Sequence, residues 1–123
     1  MSALIKRIIG LLTDPKRLRR QWAILKDLRT LKSEHPYLAN APSQSGGKRV
    51  LILGINDWVT RIKMEAMLGK AMQLHGGTPV FLTQHACGWA HKYLPAYGIH
   101  DYVYWDDYLK ETEDQVTDEQ VEE

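Results

Sequence analysis

The chain has 123 residues, room for one domain with a core of its own, and its 44% hydrophobic and 25% charged content speaks against wholesale disorder, a collagen-like repeat and a membrane-spanning class. A formal net charge of +1 conceals a strong polarity: nine Lys or Arg stand against three acids between Met1 and Glu34, whereas residues 111–123 hold seven acids and no base. The single cysteine, Cys87, excludes an internal disulfide and a cysteine-based zinc knuckle or redox pair, and fits a reducing, cytoplasmic compartment.

From Ser2 to Leu12 the apolar residues Leu4, Ile5, Ile8, Ile9 and Leu12 recur at helical spacing, with Lys6 and Arg7 close to the stripe. Because those cations lie inside the apolar run rather than ahead of it, the order of a secretory signal is lacking, and the run is too short to cross a bilayer. Thr13 and Asp14 supply capping oxygens and Pro15 a pre-set φ, so a second helix is expected to about Lys32, with Leu18, Trp22, Leu25 and Leu28 on one face. Residues 1–34 read as a basic amphipathic hairpin. Such a hairpin suits a negative partner, either the acidic tail of the chain or an anionic membrane surface on which residues 2–34 would lie flat. With the reducing compartment that Cys87 suits, the expectation is a cytoplasmic protein for which this hairpin offers a peripheral site at the inner face of the membrane. Deleting residues 2–34 is then expected to release the protein from anionic vesicles. No nucleic-acid module is present, and no nucleic-acid partner is expected.

Residues 35–47 carry Pro36, Pro42, Ser43, Ser45, Gly46 and Gly47 and read as a linker. Val50 to Ile55 is apolar at nearly every position, the pattern of a parallel strand covered on both faces, and is expected to be the core strand. On that reading a charge at Leu53 would abolish folding. A helix from about Val59 to His75 follows, with Met64, Met67, Leu68, Ala71 and Leu74 on its apolar side and Arg61, Glu65, Lys70 and Gln73 elsewhere, closed by Gly76 and Gly77. Pro79 to Thr83 reads as a second strand, residues 86–94 as a helix disturbed at Pro95 and closed at Gly98, and Tyr102 to Trp105 as a third strand. After residue 110 the sequence is an acidic tail or the start of another helix.

Strand, helix, strand, helix and strand in this order predict an α/β fold: a Rossmann-like three-stranded parallel sheet of order 3-2-1 over residues 48–110 with helices on its faces. That order puts the most apolar strand at an edge. Either the N-terminal hairpin covers the edge or a further strand outside these residues pairs there, and the second is our expectation, which makes the chain part of a larger protein.

Ligands of open parallel sheets sit beyond the carboxyl ends of the strands. The three exits are Asn56-Asp57-Trp58, Gln84-His85 and Asp106-Asp107-Tyr108. Carboxylates, an imidazole, amides and an indole face suit a sugar or another small polar ligand. Gly54 stands alone, so no dinucleotide-binding glycine turn exists, and Ser45-Gly46-Gly47-Lys48 precedes a strand rather than following one, unlike a P-loop. His85, Cys87 and His91 match none of the familiar zinc spacings, and neither a metal nor another cofactor is expected. His91 reads as a surface histidine and Cys87 as a small buried group.

The passage Lys70 to Thr83, a helix, then Gly76-Gly77, then a strand ending Phe81-Leu82-Thr83, resembles the N-terminal, acceptor-side domain of GT-B glycosyltransferases. Val50 to Gly54 and Tyr97 to Val103 sit where such domains have their first and third strands, so the resemblance covers about residues 48–110. The sequence departs from the pattern in having Gly76-Gly77 where several members have Gly-His, and Asn56-Asp57-Trp58 where some carry a glycine-rich turn. The resemblance implies transfer of a sugar from a nucleotide-sugar donor, held by a second domain, to a hydroxyl acceptor, so the chain alone is expected to be inactive. Asp57 or His85 would serve as the base, and Asn56, Trp58, Gln84, Asp106 and Asp107 would bind substrate. The alternative is a non-catalytic Rossmann-like binding or interaction module.

Overall fold

A computed structural model describes residues 5, 9–10, 13–40 and 47–113, which belong to two units, Met1–Pro36 and Tyr37–Glu123. In the first, α1 runs from Pro15 to Glu34, and its start is the predicted one: Asp14 accepts from the backbone N–H groups of Lys16 and Arg17 while Pro15 occupies the first turn. The expected first helix of the hairpin, Ser2 to Leu12, lies largely outside the described residues; positions 5, 9 and 10 are the ones described, and they are helical. Residues 114–123 of the acidic tail lie outside as well. Among the described residues no helix is long and apolar enough to cross a membrane.

The second unit is the predicted α/β sheet. Its elements are β1 (Arg49–Leu53), α2 (Val59–Leu74), β2 (Thr78–Thr83), α3 (Ala90–Ala96), β3 (Tyr102–Tyr104) and α4 (Trp105–Glu113). All pairings are parallel and the order is β1-β2-β3, with Leu51 opposite Val80, Ile52 opposite Phe81, and Phe81 opposite Tyr102. Two helices pack on one face of this sheet. A Cβ on Gly69 of α2 would stand 2.9 Å from Ile99, 3.3 Å from Phe81 and 3.4 Å from Pro79, so the missing side chain lets the helix backbone close on β2. The His91 ring of α3 meets Tyr102 edge-on and Tyr104 at a tilt. Both loops that end α2 and α3 are closed by a glycine of positive φ, Gly76 and Gly98, with Gly77 N–H bonded to Met72 O and Ile99 N–H to Leu94 O.

Three expectations need correction. The core strand is β2 and not β1: Pro79, Phe81 and Thr83 are fully buried together with Tyr93, Leu94 and Ile99, whereas Leu53 is 56% exposed. Only Ile52 of β1 turns its side chain into the core, and Leu51, Leu53 and Ile55 are exposed. The physical reason is topological, since two right-handed crossovers in succession put the second strand in the middle whatever the first one contains. The apolar side of α2 is also the reverse of that expected. Ile62, Ala66, Gly69 and Lys70 are buried, and Met64, Met67, Leu68 and Leu74 are exposed, because small residues permit the closest approach to β2. Finally, the linker is partly built: Pro36–Ala39 forms a single 3-10 turn, and Lys70 Nζ donates to Asn40 O just beyond it. Burial lowers the pKa of that ammonium below its ordinary value, and Gln73 Oε1 is its second acceptor.

Tyr102 carries a pH signature. Its hydroxyl donates to Ile99 O at 2.7 Å, and burial, followed by the neighbouring Tyr104 and Asp101, raises its pKa from 10.0 to about 12. A raised folded-state value means that stability from this phenol is intact below pH 10 and is lost as the pH climbs toward 12. Tyr102→Phe is expected to flatten the alkaline decline, as followed by urea unfolding at about pH 9 and about pH 11. An equally steep decline in the variant would contradict this assignment.

Candidate functional site

The three strand exits lie on one rim, as parallel pairing requires. Asn56-Asp57-Trp58 leaves β1 in a loop, in which Asn56 Oδ1 accepts weakly from the Trp58 N–H at 3.4 Å and the Trp58 indole is exposed. Asp57 reaches across to the segment after β2. Its Oδ1 accepts from the N–H groups of Trp89 at 2.9 Å and Ala90 at 3.2 Å, where α3 begins. A carboxylate at that position satisfies donors that the helix cannot satisfy itself and faces the positive end of the helix dipole. Asp57 is therefore a capping group supplied by a distant strand exit. Asp57→Ala is expected to lower stability by about 1 kcal/mol, measured by thermal or urea unfolding, and an unchanged midpoint would show that the cap contributes nothing.

The third exit differs from the loop expected. β3 ends at Tyr104 and α4 begins at Trp105, so Asp106 and Asp107 occupy the first turn of a helix, where the backbone dipole favours negative charge. This start directs both carboxylates toward the exit of β2. Asp106 Oδ2 accepts from the His85 N–H at 3.1 Å, and His85 Nε2 lies 3.0 Å and 3.2 Å from the two oxygens of Asp107. The imidazole is stacked on Tyr104, with ring centroids 3.8 Å apart and planes 10° from parallel. Asp106 thus holds the backbone of His85, while Asp107 and Tyr104 hold its ring. Both members of the pair remain accessible, each with 56% of its side chain exposed.

Gln84 and its neighbours form a tighter layer beneath. Gln84 Oε1 is within 3.9 Å of the Cys87 thiol, and Gln84 O is 3.2 Å from His91 Nε2. Cys87 is buried, as the sequence suggested. His91 is half-buried against the two tyrosines, which corrects its reading as a surface histidine. His85, Asp106 and Asp107 form the one group of three potential metal ligands found among the described residues, with one ligand atom from each within 4.8 Å of the others. His85, Cys87 and His91 do not form such a group among the described residues. Three buried polar atoms have no hydrogen-bond partner among the described residues: Thr83 Oγ1, Trp105 Nε1 and Asp106 Oδ1. All three belong to the carboxyl ends of β2 and β3 or to the residues next to them, where water can complete their hydrogen bonding.

Of the seven residues singled out from sequence, the structure brings His85, Asp106 and Asp107 into one constellation, puts Gln84 directly beside it, and turns Asp57 to a capping task. Asn56 and Trp58 stand on the same rim at the exit of β1. Tyr104 was missed. Its alternation with Val103 in a strand marks it as facing the helix-covered side of the sheet, but only the strand register reveals that it floors His85.

Comparison of the chain with protein-family models, with curated proteins and with solved structures gave no match to any of the three. The class that the fold defines is an open, parallel α/β unit with a polar rim.

Proposed function

We propose that this rim binds the hydroxyl-bearing acceptor of a glycosyl transfer, and that His85, oriented by Asp107, removes the proton of the attacking hydroxyl. The observation that carries the reading is the two-point contact of His85 Nε2 with the Asp107 carboxylate. That contact keeps the ring proton on Nε2 and leaves the lone pair on Nδ1 for the hydroxyl. As the proton moves, Asp107 offsets the positive charge that develops on the ring. The hydroxyl oxygen forms a bond to the anomeric carbon while the bond from that carbon to the nucleotide breaks, and the nucleotide departs with the bonding electron pair. Trp58 offers a flat apolar surface for a sugar ring, and the accessible His85–Asp107 pair on the same rim suits hydroxyl groups. The choice of a sugar and of a nucleotide-sugar donor rests on the resemblance of residues 48–110 to GT-B acceptor domains, and the donor would be held by a second domain. His85 is preferred to Asp57 as the base because one oxygen of Asp57 is already committed to the start of α3.

A second reading, a Rossmann-like module that binds without catalysis, draws on the same Asp57 observation, since one of the two carboxylate or imidazole candidates serves the fold. Titration of the isotope-labelled chain with methyl glycosides, followed by amide chemical shifts, tests the rim itself. Shifts confined to residues 56–58, 84–85 and 104–107 are expected, with affinity reduced about tenfold or more in His85→Ala. Shifts elsewhere, or none with any glycoside, would remove the acceptor site and the transfer with it.

A further inference from the structure

The first unit holds a surface that the rim does not use. On α1, Leu18, Trp22, Leu25 and Arg29 follow one another at intervals of four, three and four residues, which is one stripe of a helix. Arg19 and Lys26 run along one side of that stripe and Lys32 along the other. Trp22 is 67% exposed and Leu25 43% exposed, both in the midst of these cations. Along the helix, seven exposed Lys and Arg stand against two acids, Asp27 and Glu34. A shallow groove of about 410 Å³ is lined by Leu25, Leu28, Arg29, Lys32 and Ser33, apolar along its floor and cationic at its edge. Ile5 and Ile9, a helical turn apart, are exposed too.

We infer that α1 docks on an anionic bilayer surface, with Trp22 and Leu25 entering the interface and Arg19, Lys26, Arg29 and Lys32 at the level of the lipid phosphates. Charge decides the sign of the partner, since five more bases than acids lie on α1. The exposed indole and leucyl groups decide its kind. Water is a poor solvent for both, a nucleic-acid backbone gives Leu25 nothing to pack on, and a lipid interface accepts apolar side chains and cations side by side. An indole is particularly suited to it, with an apolar body and one N–H donor. This inference is independent of any chemistry at the rim.

The test uses the full chain and sedimentation with vesicles of phosphatidylcholine alone or with about a third of it replaced by phosphatidylserine. Binding to the second and not to the first is expected. Replacing Arg19, Lys26 and Arg29 together by Gln should lower the partition coefficient about a hundredfold, at about fivefold for each cation. Trp22→Ser with Leu25→Ser should lower it about tenfold or more while leaving all charges in place. All of these side chains are exposed, and far-ultraviolet circular dichroism identical to that of the parent verifies that each variant is folded. Equal binding to both vesicle types, no binding to either, or retained binding by the Ser variant would overturn the inference. So would competition in which duplex DNA or a polyglutamate peptide displaces the chain from vesicles while the Ser variant binds those polyanions as well as the parent does.

Discussion

Phe81→Ala is expected to destabilise the protein by about 3–5 kcal/mol, against a total that for small domains lies at about 5–15 kcal/mol. Phe81 is 1% exposed at the centre of β2, where it lies against Ile52, Tyr102 and the backbone of α2 at Gly69. Truncating it removes the contact that fastens the helix layer to the sheet and leaves a cavity that rigid neighbours cannot fill. The companion substitution Leu53→Asp is expected to cost about 1 kcal/mol or less, because its side chain already faces outward from an edge strand. Urea unfolding of both variants measures the contrast. The reverse ranking, with Leu53→Asp unfolded and Phe81→Ala close to the parent, would make β1 the core strand after all.

The second large effect concerns the rim. In an assay that supplies a nucleotide sugar, an acceptor and a donor-binding domain, His85→Ala is expected to lower kcat about 10²–10⁴-fold and to raise KM for the acceptor about tenfold, in step with the weaker glycoside binding. Asp107→Asn keeps the shape of the pair but removes its negative charge, and is expected to lower kcat about 10–100-fold. Asp107 acts through His85, so the double variant should lose no more than His85→Ala alone. Additive losses would mean that the two residues act separately, and an unchanged kcat in His85→Ala would end the role of His85 as base.

The three strands, their direction and their order were legible because apolar runs alternated with helical periods and ended in Gly76-Gly77 and Gly98. That order already placed the second strand at the centre, but hydropathy pointed to the first as the core strand. Val50 to Ile55 is the more continuous apolar run, yet burial follows position in the sheet, and Val80-Phe81-Leu82 occupies the middle because it comes second in the chain. The periodicity of α2 failed for a different reason: apolar residues lie on opposite sides of that helix, and Gly69, which no hydropathy pattern rewards, selects the side that packs. At the rim, residue types at the exits were readable but their contacts were not. His85 meets Asp107 only because β3 stops at Tyr104 and α4 starts at once, a boundary set by one residue, and Asp57 was drawn into a cap by the start of a helix more than thirty positions away.

The most direct test is nuclear Overhauser spectroscopy of the labelled chain in solution. Parallel pairing of Leu51 with Val80 and of Phe81 with Tyr102, together with close contacts from the His85 ring to the Tyr104 ring and to the Asp107 methylene, is the expected pattern. Cross-strand Hα to Hα contacts of antiparallel neighbours, or a His85 ring near neither Tyr104 nor Asp107, would separate the strand exits and dissolve the site.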